Sequence, residues 1–429
     1  MALVGTDVVA VARMERLLQD AAFLPRFFTR DECAYMQKKK NPAETAAGLY
    51  AAKEAFAKAA GTGVRGFSLR EVGVSHDAQG RPFYQLSGRA AELLKKQGVR
   101  QMSLSISHDG GVALATAVLD MEQNRANFEA AVQKTAGAPP EVLNLADARM
   151  LLPKRREDTH KGNYGKVFLV AGSIGLTGAG IFASTAALKM GSGLITLGCP
   201  ASLNAIFETC LHEVMTLPLP DAHGILTMNG IETMLQRCQA SDALLFGCGL
   251  ANADTIQQIL ANILPGAGIP AVIDADGINA LARNIDILSR RAGPVVLTPH
   301  WMEFSRLSGL PLETIAASPA KCAADFARRH GVVLVLKSSE TYVAAPDGRV
   351  RRNIMGNCGM ATGGSGDVLS GVILSLLGQG LAPFEAAELG VYLHALSGDM
   401  AALDKGEYGM TPTDILENLP YAVKYVLQS

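Results

Sequence analysis

The chain has 429 residues, 48% of them hydrophobic and 18% charged, with a formal net charge of −1. That length exceeds one ordinary core, so two or three domains are expected, and the balance excludes a disordered chain. Near-zero charge removes any bulk electrostatic case for a nucleic-acid or membrane partner. Seven cysteines, at positions 33, 199, 210, 238, 248, 322 and 358, form no CxxC pair and no zinc-spaced cluster. They read as reduced thiols of a cytoplasmic protein rather than a disulfide frame. The opening MALVGTDVVAVARM carries Asp7 and lacks a basic flank, so it does not read as a signal peptide. The longest apolar run, Val368 to Leu377, is far short of the roughly 20 residues of a membrane span.

In chain order, Gly5-Thr6-Asp7 sits on a first apolar run and offers a carboxylate. A helix is predicted from Asn41, a good N-cap, with Pro42 in the first turn and Glu44 completing a capping box. It carries Glu54 and Lys58, four apart on one face, where a surface ion pair is the plain expectation. Gly61-Thr62-Gly63 is a plausible C-cap and turn, and Gly80-Arg81-Pro82 a second turn. Ser105-Ile106-Ser107-His108-Asp109 closes a strand before a tight turn. Two separated carboxylates, Asp7 and Glu54, suit Mg²⁺, which takes oxygen ligands and shares coordination with phosphates.

This ordered set resembles holo-acyl-carrier-protein synthase over residues 1–120. The resemblance implies a small α+β phosphopantetheinyl transferase domain that moves 4′-phosphopantetheine from coenzyme A to a serine of acyl carrier protein. By position, it implies that Asp7 and Glu54 hold Mg²⁺ against the diphosphate and that Lys58 neutralises or relays charge beside them. Gly61, Thr62 and Gly63 would lie along the phosphates and His108 near the nucleotide end of coenzyme A. It also implies a trimer with the site between subunits, and a basic landing surface for the acidic carrier, for which Arg13, Arg16, Arg26 and Arg30 are candidates; a solvated charged face is the plainer alternative. A non-catalytic module that binds carrier protein and coenzyme A is the rival reading.

Residues 121–143 are polar and end in Gly137-Ala-Pro-Pro140, and read as a partly helical linker. From 144 to 429 short apolar strands are expected at 166–171, 194–197, 243–246, 271–273, 295–297 and 332–336, with helical patterns between. Nearly continuous apolar strands in a βαβα rhythm argue for an α/β domain with a mostly parallel sheet. In such a sheet ligands collect at the carboxyl ends of the strands. There, Gly363-Gly364-Ser365-Gly366-Asp367 would feed the N-terminus of a helix beginning at Val368, a natural anion site. A carboxylate there repels phosphate but can take a proton from a hydroxyl that attacks one. A plain helix-terminus acid fits the spacing equally well.

Several further runs lie around it: His160-Lys-Gly-Asn-Tyr-Gly165, Val170-Ala-Gly-Ser-Ile-Gly-Leu-Thr-Gly-Ala179, Gly247-Cys-Gly-Leu250, Ile273-Asp-Ala-Asp276, Leu297-Thr-Pro-His-Trp-Met-Glu303 and Asn357 through Asp367. Together they resemble the ribokinase-like superfamily, and within it NAD(P)H-hydrate dehydratase. The resemblance implies a three-layer α/β domain that uses ADP or ATP to remove water from the S-epimer of NADH or NADPH hydrate. Asp367 would be the base, Gly364 and Gly366 anion-hole donors, and Asn357 a neighbour of the phosphoryl group. Ala179, Gly249 and His300 would touch the hydrate with Asp367. Lys337, Ser338, Ser339, Glu340, Thr341 and Gly366 would touch the nucleotide. The chain departs from the family pattern at Cys248, usually Pro, at Trp301-Met302, usually Pro-Gly, and at Lys337-Ser338-Ser339, usually Lys-Gly. A small-molecule kinase of vitamin-precursor type would share the same base and loop, and stands as the rival. The family's dehydratase often accompanies an epimerase, for which these two regions leave no residues.

Overall fold

The computed structural model describes residues 2–428 except 21, 64, 98, 122–128, 130, 136, 140 and 157. The chain divides into two compact units, Met1–Ala126 and Asn127–Ser429. Of the 121–143 segment read as a linker, 122–128, 130, 136 and 140 lie outside the described residues. Ala131, Thr135, Val142 and Leu143 are buried, and Val142 bridges Arg352 in parallel fashion.

In the first unit, β1 (Ala2–Ala10) and β4 (Val99–Asp109) flank β5 (Val112–Met121), all antiparallel, while β2 (Val72–His76) and β3 (Pro82–Leu86) form a separate hairpin. The helix Pro42–Ala59 is rich in alanine, a strong helix former with a thin profile. That thinness lets it lie close on β1, where a Cβ at Gly5 would collide with the backbone of Ala55 and Ala59. Asn41 caps it, its side-chain oxygen accepting the Glu44 amide at 3.2 Å. The reciprocal half of the expected capping box is absent among the described residues, because only the Asn41 side of it is made.

Residues alternate across a strand, so Gly5, Asp7 and Val9 face this helix together with Ala117, Ala115 and Ala113 opposite them. The other face of the sheet is open, with Val4 61%, Val8 54% and Leu114 40% exposed. Within the core, Lys53 is fully buried. Its ammonium meets Glu32 at 2.9 Å and donates to the Leu69 and Val72 carbonyls at 3.0 and 2.7 Å. Glu32 in turn accepts the amides of Thr29 at 2.7 Å and Val74 at 2.8 Å, so the buried pair has its hydrogen-bonding partners.

The second unit is built on nine strands in the order β16-β15-β14-β13-β12-β11-β6-β7-β8. These are β6 (Lys166–Val170), β7 (Leu194–Pro200), β8 (Met215–Leu219), β11 (Ala243–Phe246), β12 (Ala271–Ile273), β13 (Val295–Leu297), β14 (Val333–Leu336), β15 (Thr341–Ala344) and β16 (Val350–Asn353). The two-residue strands β9 (Asp221–Ala222) and β10 (Ile225–Leu226) make a small hairpin aside. From β14 to β8 all pairs are parallel, and β15 runs against both its neighbours. Strands β8, β15 and β16 were not among those expected from sequence; their residues are only partly buried and lack the continuous apolar run.

Leu169, Leu245, Val272 and Val296 point into one core with the helices Thr177–Lys189, Ser365–Gly378, Pro383–Lys405 and Pro412–Gln428. Phe168, Phe246, Ile273 and Leu297 point into the other, against Asp254–Ala267 and Pro319–His330. This makes three layers. The chain runs outward from β6 through β7 and β8, then returns to β11 on the other flank of β6. That reversal is a topological switch point, where a crevice opens beyond the strand ends. Helix Ser365–Gly378 reaches this crevice by passing very close to Thr177–Lys189. A Cβ on Gly371 would collide with the Ala183 carbonyl and stand 2.8 Å from the Ala186 Cβ.

Two outcomes are expected from this packing. Lys53→Met strands the Glu32 carboxylate in the core and should cost about 3–5 kcal/mol, read as a lower denaturant midpoint. Gly371→Ala must push two helices apart against backbone and should cost about 1–3 kcal/mol in the same measurement.

Candidate functional site

Polar residues and glycines gather just beyond the carboxyl ends of five of the parallel strands, at one edge of the sheet. After β6 come Ala171-Gly172-Ser173, after β11 Gly247-Cys248-Gly249, after β12 Asp274-Ala275-Asp276, after β13 Thr298-Pro299-His300, and after β14 Lys337. The β6 and β11 turns are sewn together: the Gly172 amide donates to the Cys248 carbonyl at 2.9 Å and the Ser173 hydroxyl to the Gly249 carbonyl at 2.8 Å. Gly249 adopts φ +61°, and a Cβ there would stand 2.7 Å from that of Ala179. Two residues assigned to the hydrate thus meet at the switch point. Ala275, a non-glycine residue at φ 47°, holds the turn between Asp274 and Asp276 in a conformation that costs energy and recurs at functional sites.

Asp274 is buried and saturated. Its Oδ1 pairs with the Lys337 ammonium at 3.0 Å, and its Oδ2 accepts from the Ser370 hydroxyl at 2.7 Å. Burial works against the Lys337 charge, but Asp274 and Glu303 outweigh it and hold its pKa above the ordinary value. Asp367 lies beside this pair, its carboxylate within 4.8 Å of both the Asp274 carboxylate and the Cys248 sulfur. Burial, reinforced by the Asp274 charge, pushes Asp367 up to about 6, with Cys248 and Lys337 pulling the other way. Burial and the same two carboxylates drive the Cys248 thiol well above its usual range, so it stays protonated. The sequence reading starts the helix at Val368; it begins at Ser365, which puts Asp367 inside the first turn. The difference arises because Gly364, at φ 103°, already serves as the N-cap.

The loop before it is anchored rather than open. Asn357 donates to the Gly398 carbonyl at 2.9 Å and to Asp399 at 3.2 Å, and accepts the Gly359 amide at 3.0 Å. Its side chain is therefore spent on shaping the loop. The Ser365 hydroxyl lies 3.4 Å from His394 Nε2, and burial pushes that imidazole down to about 4, keeping it neutral. Gly366 faces Lys337: a Cβ there would stand 3.3 Å from the ammonium and 3.9 Å from Asp274.

His300 caps the helix Trp301–Ser308. Its Nδ1 accepts the Met302 and Glu303 amides at 3.1 and 3.3 Å, and its own amide donates to Glu303 at 2.9 Å. With Nδ1 an acceptor, Nε2 carries the hydrogen and lies 3.5 Å from Glu303 Oε1, and the side chain is 50% exposed. His300 also bridges Lys337, and the Lys337 amide donates to the Pro299 carbonyl at 2.9 Å. Ser338, Ser339 and Glu340 form the turn from β14 to β15, which Thr341 begins. The Ser338 hydroxyl closes that turn on the Glu340 carbonyl at 2.7 Å, and Glu340 accepts from Tyr342 at 2.9 Å. The contribution of Ser370 was not read from sequence. It lies three residues after Asp367, one helical turn along, and that spacing was the available signal.

In the first unit, Lys58 does not pair with Glu54 as the spacing suggested. Its ammonium pairs with Asp7 at 2.8 Å and donates to the Thr6 carbonyl at 2.9 Å, because the helix lies against β1. Glu54 instead lies near Tyr50, whose hydroxyl is pushed up to about 12 by burial and by the Glu54 charge. Asp7, Tyr50, Glu54 and Lys58 thus share one strand–helix face. His108 lies over the same helix further back; a Cβ on Gly48 would stand 2.6 Å from its Nε2. Gly61 and Gly63 take positive φ with open space around them, and the Thr62 hydroxyl donates to the Gly63 carbonyl at 3.0 Å.

Comparison with known proteins follows this division. A family model for the 4′-phosphopantetheinyl transferase superfamily matches residues 3–117, and one for NAD(P)H-hydrate dehydratase matches residues 167–421. The bifunctional NAD(P)H-hydrate repair enzyme of Moorella thermoacetica is 44% identical over 284 residues, 66% of this chain and 54% of that protein. The ADP-dependent (S)-NAD(P)H-hydrate dehydratase of Neisseria meningitidis serogroup B is 35% identical over 251 residues, 57% of this chain and 80% of that protein. The crystal structure of ADP/ATP-dependent NAD(P)H-hydrate dehydratase from Bacillus subtilis, co-crystallised with ATP and Mg²⁺, superposes with a TM-score of 0.58 at 28% identity. It covers 66% of this chain and 98% of that one. The chain spans about half the length of the bifunctional relatives it matches. With the dehydratase model matched across most of the second unit, the chain belongs to the NAD(P)H-hydrate dehydratase family.

Proposed function

We propose that the second unit dehydrates the S-epimer of NADH or NADPH hydrate, consuming ADP or ATP and releasing AMP or ADP with phosphate. The first unit, on this proposal, transfers 4′-phosphopantetheine from coenzyme A to a serine of acyl carrier protein. One observation supports the dehydratase reading most. Asp367 is a half-buried carboxylate pushed up to about 6 by desolvation and the Asp274 charge, in the first turn of a helix entered through Gly364. A base poised near neutrality can take a proton and give it back.

The chemistry follows from leaving groups. Hydroxide leaves a carbon poorly; phosphate leaves well. Asp367 takes the proton of the ring hydroxyl as its oxygen attacks the terminal phosphorus of the nucleotide, breaking the bridging P–O bond. The ring nitrogen then expels phosphate, and loss of a proton from the neighbouring carbon restores the double bond. The helix N-terminus and the amides around Gly364 and Gly366 stabilise the phosphoryl charge in flight. Lys337, held by Asp274, adds a fixed positive charge beside Gly366. Ala179, Gly249 and His300 form the hydrate side of the crevice; the 337–341 turn and Gly366 form the nucleotide side; Asn357 shapes the loop between.

In the first unit the donor set is all oxygen, Asp7 and Glu54, which fits a hard cation such as Mg²⁺. That ion, when bound, would offset the diphosphate charge of coenzyme A. Lys58 lies on the same face, and Gly61, Thr62, Gly63 and His108 are proposed to line the rest of the coenzyme A site. A homotrimer built through this unit belongs to the proposal, and the open apolar face of β1 and β5 supports it, since such a face favours burial. A cytoplasmic location is proposed on the seven free cysteines. No described helix is long and apolar enough to cross a membrane.

Asp367→Asn should abolish recovery of reduced-nicotinamide absorbance from hydrated NADH while ADP or ATP still binds. Accumulation of a phosphorylated alcohol by wild type, with no restored absorbance, would instead establish a kinase. Because the base must be ionised and its pKa is raised to about 6, kcat should fall as pH drops through about 6 and level off above it. Glu54→Ala should abolish transfer of labelled pantetheine to carrier protein and leave dehydration untouched. Absence of transfer by wild type would reduce the first unit to a binding module.

A further inference from the structure

The loop from Gly356 to Gly364 lies along one face of the helix Pro383–Lys405. Three positions on that face, His394, Gly398 and Asp399, are four and one residues apart and receive it in turn. His394 meets Ser365. Gly398 has no side chain where Met360 lies, and a Cβ there would collide with the Met360 sulfur. Asp399 grips the loop's beginning: Oδ2 accepts the Gly356 amide at 3.0 Å and Oδ1 the Asn357 side-chain amide at 3.2 Å. Its carboxylate is only 4% exposed, so two neutral donors leave a buried charge without a counter-ion.

The counter-ion comes from a residue that precedes the sheet strands and their covering helices in the chain. Lys134 reaches in from the segment that follows the first unit. Its ammonium pairs with Asp399 Oδ1 at 2.8 Å and donates to the Gly356 carbonyl at 3.0 Å. One lysine therefore bonds both the carboxylate that holds the loop and the loop itself, while its outer part stays in solvent, 42% exposed. We propose that Lys134 is a positioning residue of the dehydratase site, latching the glycine loop onto the helix Pro383–Lys405 through Asp399. The stretch that opens the second unit is then a working part of the active-site scaffold.

This rests on the dehydratase reading for its kinetic consequence but not for the latch itself. The test compares full-length wild type with Lys134→Met and Lys134→Arg, following amide hydrogen exchange by peptide mass spectrometry and dehydration of hydrated NADH. In Lys134→Met, exchange should rise over residues 356–366 and stay unchanged in the parallel strands. The kcat should fall about ten- to a hundredfold, as expected when reacting groups are misplaced by about 1 Å, with the melting temperature close to wild type. Lys134→Arg should restore both. Unchanged exchange over 356–366, or a rise spread evenly over the unit with a lower melting temperature, would overturn the latch. If wild type turned over no hydrate, the dehydratase reading would fall while the exchange data still decided the latch.

Discussion

The Asp274–Lys337 ion pair is the constraint on which the second unit's site depends. It joins the ends of two strands that are not neighbours, β12 and β14, across the mouth of β13, and Ser370 ties it to the helix that carries Asp367. A buried pair of this kind contributes little net stability once desolvation is counted. Its value lies in position. The satisfied Asp274 charge remains close enough to raise Asp367, while Lys337 offers its remaining donors toward Gly366. Two neighbouring carboxylates are thereby set apart: Asp274 is fixed and paired, while Asp367 is left unpaired with its pKa raised.

Close backbone approach is the second theme, and the same device appears in each unit. Alanine-rich helices and glycines bring main chain against main chain, Gly5 against the helix Pro42–Ala59 and Gly371 against Thr177–Lys189. In the first unit this brings Asp7 under Lys58; in the second it draws the N-terminus of Ser365–Gly378 to the crevice at β6 and β11. Bulkier side chains at those crossings would preserve hydrophobic burial but move the reacting groups apart. Packing and chemistry are coupled through these small residues rather than through the large ones.

The glycine loop before the helix Ser365–Gly378 is held at both ends. Asp399, Asn357 and Lys134 fix its start, and the N-cap at Gly364 with Ser365 beside His394 fixes its end. Holding donors in place before the substrate arrives spares reorganisation at the moment of reaction. That makes the helix Pro383–Lys405, which carries none of the residues assigned to substrate, a support on which the loop's geometry depends.

Much of this was legible in the sequence because it is local. Apolar runs broken at short intervals gave the parallel strands β6, β7 and β11 to β14, and the Asn41-Pro42 pair gave the start of the long helix. The ordered motifs named the family and placed candidates at strand ends, since a parallel sheet delivers all its carboxyl ends to one edge. Periodicity could not reveal β15 and β16, whose half-exposed residues lack a continuous apolar run, nor the first turn at Ser365, where a left-handed glycine sets the boundary. Above all it could not reveal partners. Glu54 and Lys58 have the spacing of an ion pair, yet Lys58 pairs with Asp7 across 51 residues; Lys53 with Glu32, Lys337 with Asp274 and Lys134 with Asp399 are likewise tertiary choices. A charge finds its partner by where the backbone carries it and how much water is removed there, and neither is written in the neighbouring residues.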